Sequence, residues 1–301
     1  MHFVGVFNRD GGTFRSMDME AFCDSARRIF EMHGDTLECR VVAGHMISEA
    51  LEQGARDAGD GVLLAGGGDG TISAAAAIAF RTGVVLAVLP AGTMNLFARA
   101  LRLPLSLRET LEALAAGEVQ SVDIATANEW AFVHQFGVGI HARLIRIRDH
   151  MTYRSRWGKM LASVRSVTGA IVRPPPRFHV EIRSSEGAAK RMVSGIAVSN
   201  NRAGDGHIPY ADVLDQGVLG VYVAAPMSRV SLIRLLIGVL IGRWRAHPSV
   251  VEMEVSAVTL DFPRRKHSAQ AVIDGELFNL PGRVVLRIHP GALRVVVPAG
   301  A

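Results

Sequence analysis

The chain has 301 residues, 49% hydrophobic and 20% charged, with a net charge of +5. That size suits about two domains with a sizeable core. Two cysteines are too few for a disulfide framework, no apolar run approaches the ~20 residues of a membrane span, and the basic balance suits an anionic partner. Aromatic residues are only 6%, with no basic–aromatic interleaving of the kind that stacks bases, so nucleic acid is disfavoured.

The first third alternates strands and helices. FVGVF (3–7) predicts a short strand ending in the turn-prone NRDGG. MEAFCDSARRIFEMHG (19–34) places Phe22, Ala26, Ile29 and Phe30 on one helical face and closes on Gly34. LECRVV (37–42) predicts a second strand, MISEALEQGARDAG (46–59) a second helix and GVLLA (61–65) a third strand. TISAAAAIAFRTG (71–83) is a helix closed by Gly83, and VVLAVLP (84–90) a fourth strand. Continuous apolar strands separated by helices imply a parallel sheet covered on both faces, whose ligands gather at the carboxyl ends of the strands.

After about residue 125 the pattern changes. RFHVEIRS alternates Phe178, Val180 and Ile182 against His179, Glu181 and Arg183, the period of a half-buried antiparallel strand. RMVSGIAVSN (191–200), GVLGVYVAA (217–225), VVEMEVSAVTLDF (250–262), QAVIDGELF (270–278), RVVLRIHP (283–290) and ALRVVV (292–297) each read as a further strand. Helices are expected at about 140–167 and 228–243, and RPPPR (173–177) is a rigid connector. The whole predicts an N-terminal Rossmann-like parallel α/β domain followed by a C-terminal β-sandwich.

Three motifs carry chemistry. GGGDGT (66–71) follows a buried strand and opens a helix, so bare backbone N–H groups and a helix N-terminus can both face an anion. No Lys follows, so it is not a Walker loop. Asp69 beside phosphates makes sense with Mg²⁺; as a turn-former it would need none. PAGTMN (90–95) offers Thr93 and Asn95 at the end of the next strand. VIDGE (272–276) sets Asp274 and Glu276 around Gly275, and Asp-Gly between apolar strands is also a strong hairpin signal.

In order and spacing these motifs resemble the diacylglycerol kinase catalytic-domain family, which includes bacterial soluble lipid kinases and sphingosine and ceramide kinases. The resemblance extends over nearly the whole chain, through NRDGG (8–12), Asp123 in SVDIA, FGVGIHA (136–142) and IPYADVLDQGVLGV (208–221). It implies an NAD kinase/diacylglycerol kinase-like fold, with nucleotide domain 1–125, a β-rich lipid-substrate domain 126–290 and a C-terminal strand at about 290–301 returning to the first. It further implies ATP-dependent phosphorylation of a lipid hydroxyl such as that of diacylglycerol, with the nucleotide between the domains. Asn8, Gly12, Gly67, Gly68, Asp69, Gly70, Thr71, Thr93 and Asn95 would hold ATP. Asp69 and Asp123 would organise Mg²⁺, Asp274 or Glu276 would accept the hydroxyl proton, and Asp215 would belong to a structural metal site.

The chain departs from the family pattern at several positions. Arg9 replaces a proline, Leu96 stands where the family commonly has aspartate, His141 replaces an aspartate, Ser73 an asparagine, and Gln216 and Gly220 two acids. Two rivals are an NAD kinase, which also uses a GGDGT loop, and a lipid- or nucleotide-binding protein without turnover. PAGTMN and the late DGE fit the lipid kinase better.

Contact with a membrane has two sources in the sequence. Arg143, Arg146, Arg148, Arg154, Arg156 and Lys159 form either a solvated helix face or a surface for anionic headgroups. Leu232, Leu235, Leu236, Val239 and Leu240 are either core or the lining of an acyl-chain pocket with Arg243, Trp244 and Arg245 at its mouth. The expected setting is cytoplasmic with peripheral membrane contact, and homodimerisation is left open. The histidines are scattered and Cys23 and Cys39 have no close partner, so zinc is not expected.

Overall fold

The computed structural model describes residues 1–143, 174–185, 187–204, 211–265 and 268–300. Strands β1 (His2–Asn8), β2 (Thr36–Val42), β3 (Val62–Gly67) and β4 (Val85–Pro90) alternate with helices α1 (Met19–Met32), α2 (Ile47–Ala58) and α3 (Asp69–Thr82). These strands pair in parallel in the order β2-β1-β3-β4. Every residue of β3 and β4 is buried, as an apolar run covered on both faces requires. Asp18 starts α1 by accepting the backbone N–H groups of Glu20 and Ala21, both at 3.1 Å.

Beyond β4 come α4 (Leu96–Ala100), α5 (Leu107–Ala115), β5 (Glu118–Ala127), β6 (Trp130–Phe132) and β7 (Gln135–Gly139). Next follow β8 (Phe178–Ser184), β9 (Gly187–Val193), β10 (Gly195–Asn200), β11 (Leu219–Ala224), α6 (Arg229–Leu240) and β12 (Val250–Val255). The chain ends in β13 (Ala257–Asp261), β14 (Gln270–Ile273), β15 (Glu276–Asn279) and β16 (Arg283–Val297). An antiparallel six-stranded sheet, β12-β11-β10-β7-β14-β15, faces strands of a ten-stranded sheet. Phe132, Phe136, Val198, Val221, Leu260 and Leu286 fill the core between them. The architecture is a parallel α/β unit plus an antiparallel β-sandwich.

Four of the expected strands are built differently. RMVSGIAVSN breaks at Ser194: β9 belongs to the ten-stranded sheet and β10 to the six-stranded one. VVEMEVSAVTLDF breaks in the same way at Ser256, between β12 and β13. Alternation continues through such a corner because inward side chains stay inward on both sides of it, so period alone does not mark where a strand changes sheets. Conversely, RVVLRIHP and ALRVVV join into one strand, β16, whose register against β5 shifts between His289 and Leu293. Pro290 and Gly291 sit in that bulge, with Gly291 at φ 61°.

Strand β16 pairs with β13 and β5 and meets β4 through Val295 and Leu86, so one sheet runs through both halves of the molecule. The two cysteines do have a partner, which is each other. Cys23 on α1 and Cys39 on β2 are near enough to shift each other, Cys39 holding Cys23 below the ordinary thiol value while Cys23 and burial push Cys39 above it. Among the described residues no helix is long and apolar enough to cross a membrane. The basic residues from Arg146 to Lys159 and residues 208–210 lie outside the described residues.

Candidate active site

The loops after β1, β3 and β4 lie together at one edge of the parallel sheet, stitched by hydrogen bonds. Asn8 Nδ2 donates to Thr71 Oγ1 at 3.2 Å, Thr13 N to the Ala91 carbonyl at 2.8 Å, and Ala91 N to the Gly67 carbonyl at 2.9 Å. Close approach makes glycine necessary here: a Cβ on Gly92 would stand 2.7 Å from the Gly68 Cα. Gly67 and Thr71 are buried and a Cβ on Gly67 would strike the Thr71 side chain, so these two are internal framework, whereas Asn8 is half-buried. Gly12, Gly68, Asp69, Gly70 and Thr93 keep exposure to solvent. Gly68 is the N-cap of α3 and no side chain caps that end, which leaves first-turn N–H groups open at the loop. These features fit a phosphate group.

Asp69 has a different task from the one its neighbours suggest. Its Oδ1 accepts the Leu96 N–H at 2.7 Å and its Oδ2 the Asn95 N–H at 3.1 Å. Asn95, at φ 50°, in turn accepts the Gly92 N–H at 2.8 Å and donates back to the Gly92 carbonyl at 3.2 Å. The carboxylate therefore clasps the second loop to the first, and it is the Leu96 backbone that the clasp uses. A cation is not needed to explain an acid at this position.

Asp123 is only 1% exposed. Its Oδ2 accepts the Gly217 N–H at 2.6 Å and its Oδ1 the Gly291 N–H at 2.8 Å, joining β5 to the loop before β11 and to the β16 bulge. Buried and with a backbone N–H on each oxygen, Asp123 is not set up for direct contact with magnesium, and the expected role would run through water. Asp215 is exposed and lines a polar hollow with Arg102, Gln120 and Asp212. Among the described residues no three His, Cys, Asp or Glu side chains gather as ligands. A cation arriving on a nucleotide would be held by phosphate oxygens and water rather than by a cluster of side chains.

The late acidic motif is a hairpin turn, with Asp274 at φ 46° and Gly275 at φ 91° between β14 and β15. The Asp274 carboxylate is saturated. Oδ1 accepts the N–H groups of His134 and Gln135, and Oδ2 that of Val133, each at 2.9 Å. The Ser73 hydroxyl of α3 also donates to Oδ2, at 2.5 Å. Glu276 differs: it is exposed, and its Oε1 lies 3.5 Å from where a Cβ on Gly70 would stand. Of the two late acids, Glu276 is the one whose oxygens overhang the glycine loop without a hydrogen bond to a described residue.

An apolar cavity of about 160 Å³ lies between α6 and the six-stranded sheet. Val138, Ile196, Leu232, Leu235, Leu236 and Val239 line it. At its polar side Gln135 Nε2 and His141 Nε2 are 3.3 Å apart. The Gln135 backbone is bonded in both directions to Asp274, which brings this end of the cavity next to the hairpin. Sequence reasoning missed Gln135, which carries no motif signal. Trp244 forms part of the wall rather than the mouth. Arg245 is engaged by Glu252 at 3.4 Å and by the Ala203 carbonyl, and Arg243 is exposed outside the lining.

Two family models cover most of this frame. Residues 2–127 match the diacylglycerol kinase catalytic domain, and residues 135–297 match the YegS C-terminal NAD kinase beta sandwich-like domain. The chain belongs to the diacylglycerol kinase catalytic-domain family. A relative in Pseudomonas aeruginosa, the "Probable lipid kinase YegS-like", is 31% identical over 274 residues, spanning 86% of this chain and 82% of its own. An uncharacterized protein of Synechocystis is 26% identical over 265 residues, which are 84% of this chain but 58% of that protein. In fold, a diacylglycerol kinase from Bacillus anthracis superposes with a TM-score of 0.70 at 15% identity, covering 99% of this chain and 97% of that one. A second structure from that organism gives 0.75 at 18% identity, with the same coverage. The glycine loop lies in the first matched region and the late hairpin in the second.

Proposed function

We propose that this protein is an ATP-dependent lipid kinase that transfers the γ-phosphate to the hydroxyl of a long-chain lipid such as diacylglycerol. The observation that carries the reading is a junction. An apolar cavity ends at Gln135 and His141, beside the Asp274–Glu276 hairpin, which itself overhangs the glycine loop. An acyl chain in the cavity would leave the lipid's polar end at the hairpin, in reach of a phosphate on the loop.

Each part has a defined task in this reading. The backbone N–H groups at Gly68–Gly70 and the α3 N-terminus bind and align phosphate oxygens. Asp69 holds the two loops at the separation that the nucleotide needs. Glu276 accepts the hydroxyl proton, because Asp274 has its oxygens committed to four donors. Asp274 is a positioning residue, fixing Gln135 and α3 around the reacting centre. Mg²⁺ bound with the nucleotide would neutralise phosphate charge.

The test is transfer of labelled γ-phosphate from ATP to diacylglycerol, ceramide, a sphingoid base and NAD, each with and without Mg²⁺, using Glu276→Gln as control. A labelled lipid that disappears in the variant is the expected result. Label on NAD alone would overturn the lipid assignment, and ATP binding without transfer to any acceptor would leave a binding protein.

A further inference from the structure

Helix α6 has two apolar faces, and the cavity uses one. Leu232, Leu235, Leu236 and Val239 point to the cavity. On the opposite side Val230, Ile237 and Ile241 recur at helical spacing and are 59%, 50% and 54% exposed. Arg229, Arg234 and Arg243 flank this stripe, all exposed, and none is paired with a carboxylate among the described residues. Residues 226–248 contain four arginines and no acid.

We propose that the outer face of α6 docks on an anionic lipid bilayer, laying Val230, Ile237 and Ile241 into the headgroup–acyl boundary while the flanking arginines meet lipid phosphates. Charge complementarity selects this occupant. With Arg245 engaged by Glu252, the exposed Arg229, Arg234 and Arg243 and the lack of any acid in the segment still suit a negative surface. A second copy of the chain fits worse, because a two-fold contact through this face sets arginine against arginine. Three aliphatic side chains along one helix also supply far less area than the ~800 Å² per partner of a stable interface. The helix would then stand between bilayer and cavity, its inner face against an acyl chain and its outer face in the membrane. The proposal deepens the lipid-kinase reading and rests on it for its purpose, but vesicle binding is measured without turnover.

The experiment is sedimentation of the full chain with phosphatidylcholine vesicles, with and without phosphatidylglycerol. Wild type is expected to sediment with the anionic vesicles only. Arg229→Gln with Arg234→Gln should weaken binding about 30-fold at low salt. Ile237→Ser with Ile241→Ser should abolish it, and both variants should keep wild-type turnover of a dispersed short-chain acceptor. Equal binding by wild type and variants, or no binding by wild type, overturns the proposal. So does a wild-type dimer that the isoleucine variant dissociates, which would make the face an interface between copies. Vesicle binding without phosphorylation of any acceptor would sustain the docking surface and sink the kinase reading instead.

Discussion

Replacing Asp274 and Glu276 separately should split stability from chemistry. Asp274→Ala removes the acceptor for three backbone N–H groups, those of Val133, His134 and Gln135, and for the Ser73 hydroxyl. Val133 is 2% and His134 9% exposed, so water does not readily replace the carboxylate there. Each stranded buried donor costs about 1–3 kcal/mol, and with partial hydration at Gln135 the sum is about 4 kcal/mol. Asp274→Asn keeps one oxygen but turns the other into a donor facing N–H, a loss of about 2–3 kcal/mol. Glu276→Gln removes a charge at an exposed position and should move stability by no more than about 0.5 kcal/mol. Its kcat should fall about 10²–10⁴-fold, the range of a general base. Urea denaturation and steady-state turnover on the same preparations measure both quantities. Wild-type stability in Asp274→Asn, together with near-normal kcat in Glu276→Gln, would refute the assignment of roles.

Three further outcomes follow from the same geometry. Asp69→Ala should weaken binding of a fluorescent ATP analogue about 10–100-fold, about 1.4–2.8 kcal/mol, and the loss should persist with Mg²⁺ chelated, because the carboxylate acts on Asn95 and Leu96. A loss seen only with Mg²⁺ would restore the metal-ligand role. Val239→Phe should fill part of the cavity, raising KM for long-chain acceptors more than for short ones at an overpacking cost of about 1–3 kcal/mol. Burial and neighbouring Arg287 hold His289 below its ordinary 6.5. Folding thus disfavours its protonated form, and its contribution is complete above about 6.5 and lost as pH falls through the lower folded value. The denaturation midpoint should decline on acidification, and His289→Gln should flatten that decline.

The sequence by itself determined the layers and the end of the parallel sheet at which the glycine loops gather. Unbroken apolar runs at β3 and β4 dictate a sheet covered on both faces, and glycine loops at their carboxyl ends dictate where an anion can approach the main chain. Asp-Gly between β14 and β15 also declared its turn, because both residues need positive φ. Partners were decided only by tertiary structure. Ser73 and Asp274 are 201 positions apart, and nothing local announces that one will spend its hydroxyl on the other. Asp69 and Asp274 read alike as acids beside glycine and Asp123 lies on a strand, yet each is consumed by backbone N–H groups brought from other segments. The corners at Ser194 and Ser256 were hidden for the same reason. Local periodicity records which face of a strand is buried, whereas the sheet it joins and the donors its acids meet are set by distant chain folded against it.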